Sequence, residues 1–450
     1  MQILVKKLEY VEPQVIFDYV ADKKYTIFLD SSMLHEHYGR YSVIVINPVE
    51  IFHPSANIEK HISYWKQLFA YNQSILQQNY QHLPFTGGLV GFLSYDLSKK
   101  IEFISEDIHK IVDDFYFGLY NQAFIFDLFK QDTYIITSEI YGYDLPYLDQ
   151  FKALEQIYNN CNVHQLPTKT IEIPKVYFKS NFTQQQYINI INRAIKYIRD
   201  GDIFEVNLAQ CFSTEVINDY PCKELYKKLR YINSAPFSSY INLGSLVIMS
   251  ASPERFLSIH SRKVETRPIK GTIRRSADPK EDLNLAKKLQ HSEKDHAENI
   301  MIVDLMRNDL SKICKKDSVK VTKLCDVEPF TNIHHLVSVI EGELKESVSI
   351  FDIIKAAFPG GSITGAPKIR AMQIIEELEP TKRGVYCGSI GYFSLNGNLD
   401  LSIAIRTIIK NGTDMRFYSG GAITLDSDPV REYQETLLKA QKINEIFNRK

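Results

Sequence analysis

The sequence lacks the features that would direct the chain into a membrane, along a secretory route or onto nucleic acid. Its 450 residues contain no apolar run approaching the ~20 residues that span a bilayer. The first residues, MQILVKKLEY, lack the apolar stretch and small-residue cleavage site of a signal peptide. The net charge of −1 gives no general attraction to polyanions. We therefore expect a soluble, cytoplasmic protein that holds any anionic ligand through a local cluster.

Cysteine is scarce and shows no organised spacing. The six cysteines are scattered, without a CxxC pair or a zinc-finger pattern, so we expect buried, reduced thiols. Hydrophobic residues make up 44% of the chain and charged residues 24%, as in ordinary globular proteins. A chain of this length can bury a large core without disulfides.

The order of helical and strand-like segments predicts an α+β fold. Strands and helices do not alternate strictly, which favours large antiparallel sheets over a doubly wound parallel sheet. Residues 160–180 are polar and contain two prolines, so we interpret them as a connection between regions 1–160 and 181–450 of one integrated fold. Thr183 can cap the helix that follows, because apolar residues recur after it at helical spacing.

A glycine-rich segment, PGGSITGAPK from Pro359 to Lys368, leads into a predicted helix. Free backbone N–H groups at a helix start favour an anion, but a plain capping loop explains the pattern equally well. Ala-Pro-Lys follows Gly365 where a phosphate-binding loop requires Lys-Ser or Lys-Thr. This departure argues against a nucleotide-hydrolysing enzyme.

Two predicted helices carry acidic residues on one face. Glu432 and Glu435 lie three residues apart near the C-terminus, as do Asp295 and Glu298 in an earlier helix. Such helices could meet around Mg²⁺, which prefers oxygen ligands. Charged helix faces are more often simply solvated, so the spacing alone leaves both interpretations open.

Two further residues have the chemistry of a catalytic site. Glu254 follows an apolar strand and could be a general acid, and Lys270 lies between a proline and a glycine and could be a nucleophile if it is desolvated. Taken singly, each is more often a surface group. His334 and His335 have no third ligand at a useful spacing, so hydrogen-bonding histidines are favoured over metal ligands.

Taken in order, many segments resemble the chorismate-utilising enzymes. They are SPERF, PIKGT, HAENIMIVDLMRNDL, HHLVS, PGGSITGAPKIRAM, GSIGYF, LSIAIRT, YSGGAITLDSDP and ETLLKA. These motifs span residues from about 200 to 445, and FLDSS, GRYS and GGLVGFLSYD extend the resemblance toward the N-terminus. The resemblance implies a large two-sheet antiparallel sandwich with surrounding helices and a site between the sheets.

Carried over position by position, the resemblance also implies a Mg²⁺ site and a chorismate pocket. The implied metal ligands are Glu298 and Glu435, with Asp295 and Glu432 beside them. The residues implied to bind the pyruvyl carboxylate are Arg406, Tyr392, Gly420 and Gly421. The residues implied to line the ring are Thr272, His335, Thr364, Gly365 and Lys439. Glu254 matches the general acid/base.

Lys270 distinguishes between branches of the family. Its motif reads Pro-Ile-Lys-Gly-Thr, the form of the aminodeoxychorismate-forming members, whereas anthranilate-forming members usually have Ala in place of the lysine. The resemblance implies that the amine attacks C2 of chorismate, after which ammonia adds at C4 and expels the lysine. The lysine must be neutral to attack, and we expect burial beside Mg²⁺ to lower its pKa.

Glu205, in FEVNLAQ, departs from the pattern of this branch, which usually has Gln at that position. Isochorismate- and salicylate-forming members have a water-activating Lys there, so Glu205 argues against water as the nucleophile. No segment resembles a glutaminase, and Cys211 lacks the glycine-flanked turn of such a nucleophile. We therefore expect a separate glutamine amidotransferase subunit to supply ammonia.

The sequence thus predicts amination of chorismate at C4, in 4-aminobenzoate and folate biosynthesis. One alternative is an anthranilate synthase component I, which would release pyruvate. Another, of a different class, is a non-catalytic tryptophan-binding regulator, because FLDSS and SAPFSSY resemble segments of a tryptophan pocket. The presence of every candidate catalytic residue argues against a purely binding role.

Overall fold

The computed structural model describes residues 2–35, 38–53, 58–76, 80, 82–102, 104, 112–163, 172–330 and 333–448. The helices are α1 Pro13–Val20, α2 Ile58–Leu76, α3 Tyr95–Ile101, α4 Tyr147–Val163, α5 Gln184–Arg199, α6 Cys222–Ile232, α7 Pro279–Gln290, α8 Glu293–Ile313, α9 Asp352–Ala357, α10 Lys368–Leu378 and α11 Pro429–Asn448. A short 3₁₀ turn covers Gly361–Ile363.

The strands are β1 Ile3–Leu8, β2 Ile27–Asp30, β3 Tyr41–Val45, β4 Glu50–Phe52, β5 Gly88–Leu93, β6 Phe115–Tyr120, β7 Gln122–Asp127, β8 Asp132–Ser138, β9 Lys179–Ser180, β10 Glu205–Glu215 and β11 Phe237–Asn242. They continue as β12 Leu246–Ser252, β13 Arg255–His260, β14 Lys263–Thr266, β15 Ile269–Arg274, β16 Lys320–Pro329, β17 Ile333–Glu343, β18 Gly365–Ala366, β19 Ser389–Ser394, β20 Leu399–Ile403, β21 Thr407–Asn411 and β22 Asp414–Ile423.

These strands form two large antiparallel sheets. The first sheet has 12 strands in the order β1-β8-β7-β3-β2-β11-β12-β21-β22-β10-β18, with β9 beside β10. The second has 10 strands in the order β15-β17-β14-β13-β20-β19-β5-β6-β4, with β16 beside β17. The predicted α+β class with antiparallel sheets is confirmed.

Each sheet combines strands from both halves of the chain, which meet at one junction per sheet. In the first sheet β2 pairs with β11, and in the second β5 pairs with β19 over the full length of each strand. The two halves therefore share their backbone hydrogen bonding. The division into regions 1–160 and 181–450 remains a prediction, and residues 164–171 of the proposed connection lie outside the described residues.

Local signals explain several helix boundaries. Thr183 caps α5 and forms a reciprocal capping box with Gln186. The two side chains accept hydrogen bonds from two backbone N–H groups that have no partner within the helix. The sequence from Asp278 to Leu310 has a helical pattern throughout, yet it forms two helices, α7 and α8. The chain breaks at Ser292, whose side chain accepts a hydrogen bond from the Asp295 N–H and begins the second helix.

The core lies between and around the sheets and is rich in aromatic residues. Trp65 of α2 is fully buried, with its ring 6.1 Å from Phe115, 5.5 Å from Phe117 and 5.7 Å from Phe351. Burying a phenylalanine of this kind stabilises the fold by about 1.5–3 kcal/mol. All six cysteines are free and buried, as predicted.

Among the described residues no helix is long and apolar enough to cross a bilayer. The cytoplasmic location remains a prediction.

Candidate active site

A buried ion pair joins the two sheets. Lys270 on β15 of the second sheet donates from Nζ to Oε1 of Glu205 on β10 of the first sheet, at 2.5 Å. The Lys270 side chain is 8% exposed and that of Glu205 is fully buried. Two charges removed from water in this way stabilise each other, and removing either one leaves an unpaired buried charge.

A glycine bulge sets the course of β15 next to Lys270. The register with β17 shifts between Lys270 and Thr272, and Gly271 between them has a φ of +76°. A Cβ on Gly271 would meet the Asp295 side chain at 2.9 Å, so both the backbone conformation and the space require glycine. The bulge therefore brings α8, which carries Asp295, directly against the strand of Lys270.

Glu254 lies between β12 and β13 and is 5% exposed. It accepts a hydrogen bond of 2.7 Å from the hydroxyl of Ser362, which belongs to the glycine-rich segment. Burial raises the pKa of Glu254 to about 7, against the opposing effects of the Ser362 hydrogen bond and the charge of Lys270. A carboxyl group with such a pKa can donate a proton near neutral pH, as a general acid must.

The glycine-rich segment packs against the strand of Glu205. Gly365 and Ala366 form β18, which pairs with the start of β10. A Cβ on Gly365 would meet the Glu205 carbonyl oxygen at 2.1 Å, and its φ is +146°. The Thr364 hydroxyl donates to the Gly360 carbonyl within the loop, at 3.0 Å.

The lysine of this segment is used inside the loop. Lys368 forms an ion pair with Asp309 and donates to the carbonyls of Ala357 and Pro359. Its amine is therefore committed to holding the loop together, which favours the structural interpretation of that residue over an anion-binding one.

Acidic residues of α8 and α11 converge. Lys294 stands between the two helices, with its Nζ 3.8 Å from Glu298 and 4.0 Å from Glu432. A cavity of about 560 Å³ opens beside Glu298 and Lys294. Sequence reasoning did not single out Lys294, because its position is evident only once the two helices meet.

Gly421 of β22 lies below the acidic face of α11. A Cβ at this position would stand 3.6 Å from Oε2 of Glu432 and 4.0 Å from Oε1 of Glu435. Lys439 forms an ion pair of 2.7 Å with Glu435 and donates to the Gly420 carbonyl at 3.0 Å. The residues implied by the resemblance on α8, α11 and β22 thus border one space.

These carboxylates fit a hard cation by their chemistry. Burial raises the pKa of Glu298 to about 7, with Lys270 opposing and Glu205 and Asp295 adding to the rise. Burial and the charge of Glu435 likewise raise the pKa of Glu432. Among the described residues no three acidic, histidine or cysteine side chains are gathered closely enough to hold a metal, since lysines stand between the carboxylates. A bound cation would offset the repulsion between these carboxylates, as the lysines do.

Arg406 supplies positive charge near His335. Within the described part of the chain no side chain or carbonyl accepts a hydrogen bond from the half-buried Arg406 guanidinium, whose pKa burial lowers. Its backbone has a φ of +51°, a conformation that costs a non-glycine residue about 1–3 kcal/mol. Thr272 bonds to Nδ1 of His335 at 3.0 Å.

His335 itself is 3% exposed, and its Nε2 has no partner among the described residues. Burial, reinforced by the charge of Arg406, lowers the pKa of His335 to about 3, so the ring is neutral. An unpaired guanidinium beside a neutral imidazole suits an anionic ligand.

Tyr392 occupies a different place. It lines a cavity of about 1010 Å³ together with Asp30, Ser31, Phe237 and Arg255. This cavity contains the FLDSS and SAPFSSY segments that resemble a tryptophan pocket. The family resemblance implied that Tyr392 lies with Arg406, whereas Tyr392 on β19 lines this cavity and Arg406 does not.

The two-sheet fold, the interior lysine and the converging carboxylates together define a class of enzyme that handles a small anionic substrate. Residues 28–445 match the family described as chorismate binding enzyme, and the chain belongs to that family. The predicted family resemblance is therefore confirmed.

Relatives match over nearly the whole chain. Aminodeoxychorismate synthase component 1 of Escherichia coli K12 is 37% identical over 443 residues, covering 95% of this chain and 94% of that protein. The protein of the same name from Bacillus subtilis 168 is 34% identical over 438 residues, covering 93% and 90%. The crystal structure of anthranilate synthase component I from Streptococcus pneumoniae TIGR4 superposes with a TM-score of 0.79 at 32% identity, covering 92% of this chain and 94% of that one.

Proposed function

We propose that this chain is the chorismate-aminating component of an aminodeoxychorismate synthase. The observation that carries the proposal is Lys270, a buried amine between the sheets, next to a carboxyl group, Glu254, whose pKa is raised to about 7. The relatives named aminodeoxychorismate synthase component 1 support the same activity. A buried amine held at one place between the sheets is positioned to attack a substrate carbon once it is neutral.

Chorismate carries two carboxylates, so its pocket needs two regions of positive charge. We assign one to Arg406, which has no acceptor among the described residues, with His335 beside it. We assign the other to Mg²⁺, held by Glu298 and Glu435. The supporting carboxylates are Asp295 and Glu432, and the proposed ring-side residues are Thr272, Thr364, Gly365, Gly420, Gly421 and Lys439.

In the proposed reaction, neutral Lys270 attacks C2. The C2–N bond forms, the ring double bonds shift by one position each, and the C4–O bond breaks. Glu254 supplies the proton that lets the hydroxyl leave as water. Ammonia then adds at C4 while the C2–N bond breaks, which releases Lys270 as the free amine. Mg²⁺, when bound, supplies positive charge near the ring carboxylate.

Ammonia must come from outside this site. Burial raises the pKa of Cys211 to about 11, which suppresses its thiolate, and the other cysteines are buried as well. We therefore propose a glutamine amidotransferase partner subunit, consistent with the words "component 1" in the names of the relatives.

Product identification tests the proposal. The purified chain is incubated with chorismate, ammonium and Mg²⁺, and the expected product is aminodeoxychorismate with its enolpyruvyl group retained. 4-Aminobenzoate should appear only after a separate lyase is added, and glutamine without a partner subunit should not replace ammonium. Anthranilate with pyruvate would instead identify an anthranilate synthase, the function of the structural relative from Streptococcus pneumoniae.

A second candidate function rests on the 1010 Å³ cavity. Because the two segments that resemble a tryptophan pocket line it, tryptophan is a proposed ligand there, with a regulatory or structural role. Calorimetric titration of the protein with tryptophan tests this directly. Absence of binding would remove the regulatory role and leave the catalytic proposal unaffected.

A further inference from the structure

Glu205 is an uncommon kind of residue within this site. Its carboxylate is fully buried, with one oxygen bonded to Lys270 and the other, Oε2, without a partner among the described residues. Isolated buried carboxylates are costly, so a carboxylate retained in such a position depends on its one cation. The pair therefore acts as a unit, and the state of each member depends on the other.

Both ends of this unit are held rigidly. On the Glu205 side, β18 pairs with β10, the Phe204 N–H donates to the Ala366 carbonyl at 2.7 Å, and Gly365 leaves room only for the Glu205 backbone. On the Lys270 side, the Gly271 bulge packs against Asp295. The position of the amine is thus determined by its carboxylate partner and by two close backbone contacts.

Carboxylates from three separate elements face the Lys270 amine. They are Glu205 on β10, Glu298 on α8 and Glu254 between β12 and β13, while the neighbouring His335 on β17 is neutral. Among the described residues only Glu205 bonds to Nζ. Burial alone would lower the pKa of Lys270, but the charge and hydrogen bond of Glu205, followed by Glu298 and Glu254, outweigh it and raise the pKa. The lowering that burial alone would cause is therefore outweighed by these carboxylates.

We propose that Glu205 is a positioning residue for Lys270: its buried carboxylate fixes the amine between the two sheets and places a negative charge against it, and so sets the pH range in which the lysine can attack. This inference rests on the proposed function, in which Lys270 attacks the substrate. A glutamine at this position would hold the amine without adding a negative charge. The carboxylate therefore adds an electrostatic control that an amide cannot provide.

The experiment measures the titration of Lys270 directly in the resting protein. Wild type, Glu205→Gln and Glu205→Asp are labelled with trace acetic anhydride across a pH series, and Lys270 labelling is read by peptide mass spectrometry relative to exposed lysines. Chorismate and metal are absent, so the outcome does not depend on the identity of the reaction. Glu328→Gln is the matched control, because Glu328 is a buried carboxylate that pairs with Arg267, 2.5 Å away, outside the proposed site.

We expect Lys270 of Glu205→Gln to titrate lower than in wild type by about one pH unit or more, since an opposite charge at this distance typically shifts a pKa by 1–3 units. Glu205→Asp and Glu328→Gln should titrate like wild type. In turnover, the limb of the pH–rate profile that follows Lys270 should move to lower pH in Glu205→Gln, a change that a purely hydrogen-bonding role would not produce.

Superimposed Lys270 titrations of wild type and Glu205→Gln would overturn the proposal, as would an Asp variant that behaves like the Gln variant. If Glu205→Gln does not fold, wild type alone decides: its Lys270 should titrate above the exposed lysines, and a titration below them contradicts the pairing. A shifted titration in a protein that makes anthranilate would uphold the role of Glu205 while removing the proposed product.

Discussion

The same two sheets enclose two regions with very different charge arrangements. In the region around Lys270, buried polar atoms remain open: Glu205 Oε2 and His335 Nε2 have no partner among the described residues, and no described residue accepts a hydrogen bond from the Arg406 guanidinium. In the region around the larger cavity, Arg255 bonds to both oxygens of Asp400 and to Glu265, at 2.9–3.0 Å.

The second region continues this pattern of mutual pairing. Arg267 bonds to Glu328 at 2.5 Å, Tyr38 donates to the same carboxylate at 3.0 Å, and Arg230 pairs with Asp30 at 2.5 Å. Buried charges that satisfy one another build structure, whereas those with unused hydrogen-bonding capacity are available to a ligand.

Arg267 Nε and Ser239 Oγ of the second region also lack a partner among the described residues, but the arginines named there each contact a carboxylate, whereas Arg406 is paired with none in the described part of the chain. The comparison therefore favours the region around Lys270 as the proposed site, and Arg267 with Glu328 as framework.

The largest effect should follow from Lys270→Ala. Without the amine the covalent route is lost, and we predict a fall in aminodeoxychorismate formation of at least about 10³-fold, as for removal of other catalytic nucleophiles. Glu205 is also left buried and unpaired, at a cost of about 3–5 kcal/mol in the free energy of unfolding. Product chromatography and urea unfolding measure the two effects.

The control for this prediction is Lys315→Ala, which removes a lysine from a pair with Glu343 far from the site. It should keep full turnover. Near wild-type rates in Lys270→Ala would show that the lysine is an electrostatic or structural residue and would erase the distinction between the two regions.

Glu254→Gln should have the next largest effect. The variant keeps the Ser362 contact but cannot donate a proton, so we predict a fall in kcat of about 10²–10⁴-fold. A general acid acts in its protonated form, which is present below the Glu254 pKa of about 7 and is lost as the pH rises through that value. The wild-type pH–rate profile should contain this ionisation and the Gln variant should lack it. Retention of the ionisation in Glu254→Gln would assign it to another group.

The third largest effect should come from changes to the proposed Mg²⁺ ligands, which lie only in the region around Lys270. Glu298→Gln or Glu435→Gln removes a proposed Mg²⁺ ligand, and we predict that the Mg²⁺ concentration for half-maximal activity rises at least about tenfold. Calorimetric titration of the resting protein with Mg²⁺ should show the same weakening. Glu293→Gln, at an exposed position of the same helix α8, serves as the control. Undiminished turnover of wild type in excess EDTA would contradict the assignment.

The smallest effect should come from the framework region. Tyr38→Phe removes the hydrogen bond to Glu328, and we predict a loss of about 1.5–3 kcal/mol in the free energy of unfolding with unchanged kcat, because hydrogen bonds to charged groups are worth about that much. Urea unfolding and steady-state kinetics check both parts. A large loss of kcat would mean that the larger cavity is coupled to the chemistry.

The fold class could be predicted, and candidate site residues could be named, because both depend on local pattern and on motif order. Glu254, Lys270 and the acidic helix faces each belong to a short segment whose residue types carry a meaning. The partner of Lys270 could not be predicted in this way. Glu205 lies 65 positions away on the opposite sheet, and only the packing of β10 against β15 joins the two.

Other differences have similar physical origins. Lys294 separates carboxylates of two helices, and the angle at which the helices meet is not encoded in either one alone. The helix break at Ser292 depends on a single side-chain cap within an otherwise helical pattern. Tyr392 was predicted beside Arg406, but Tyr392 lines the larger cavity and Arg406 is not among the residues that line it.

The most direct test of the account is to trap the lysine during the reaction. Wild-type protein is mixed with chorismate and Mg²⁺ without ammonium, quenched in acid and examined by intact-mass and peptide mass spectrometry. We predict a covalent adduct of the substrate ring on Lys270, absent from Lys270→Ala and discharged when ammonium is added before the quench. Unmodified Lys270 at every quench time, in protein that makes aminodeoxychorismate once ammonium is supplied, would contradict the central claim that this buried lysine is the nucleophile.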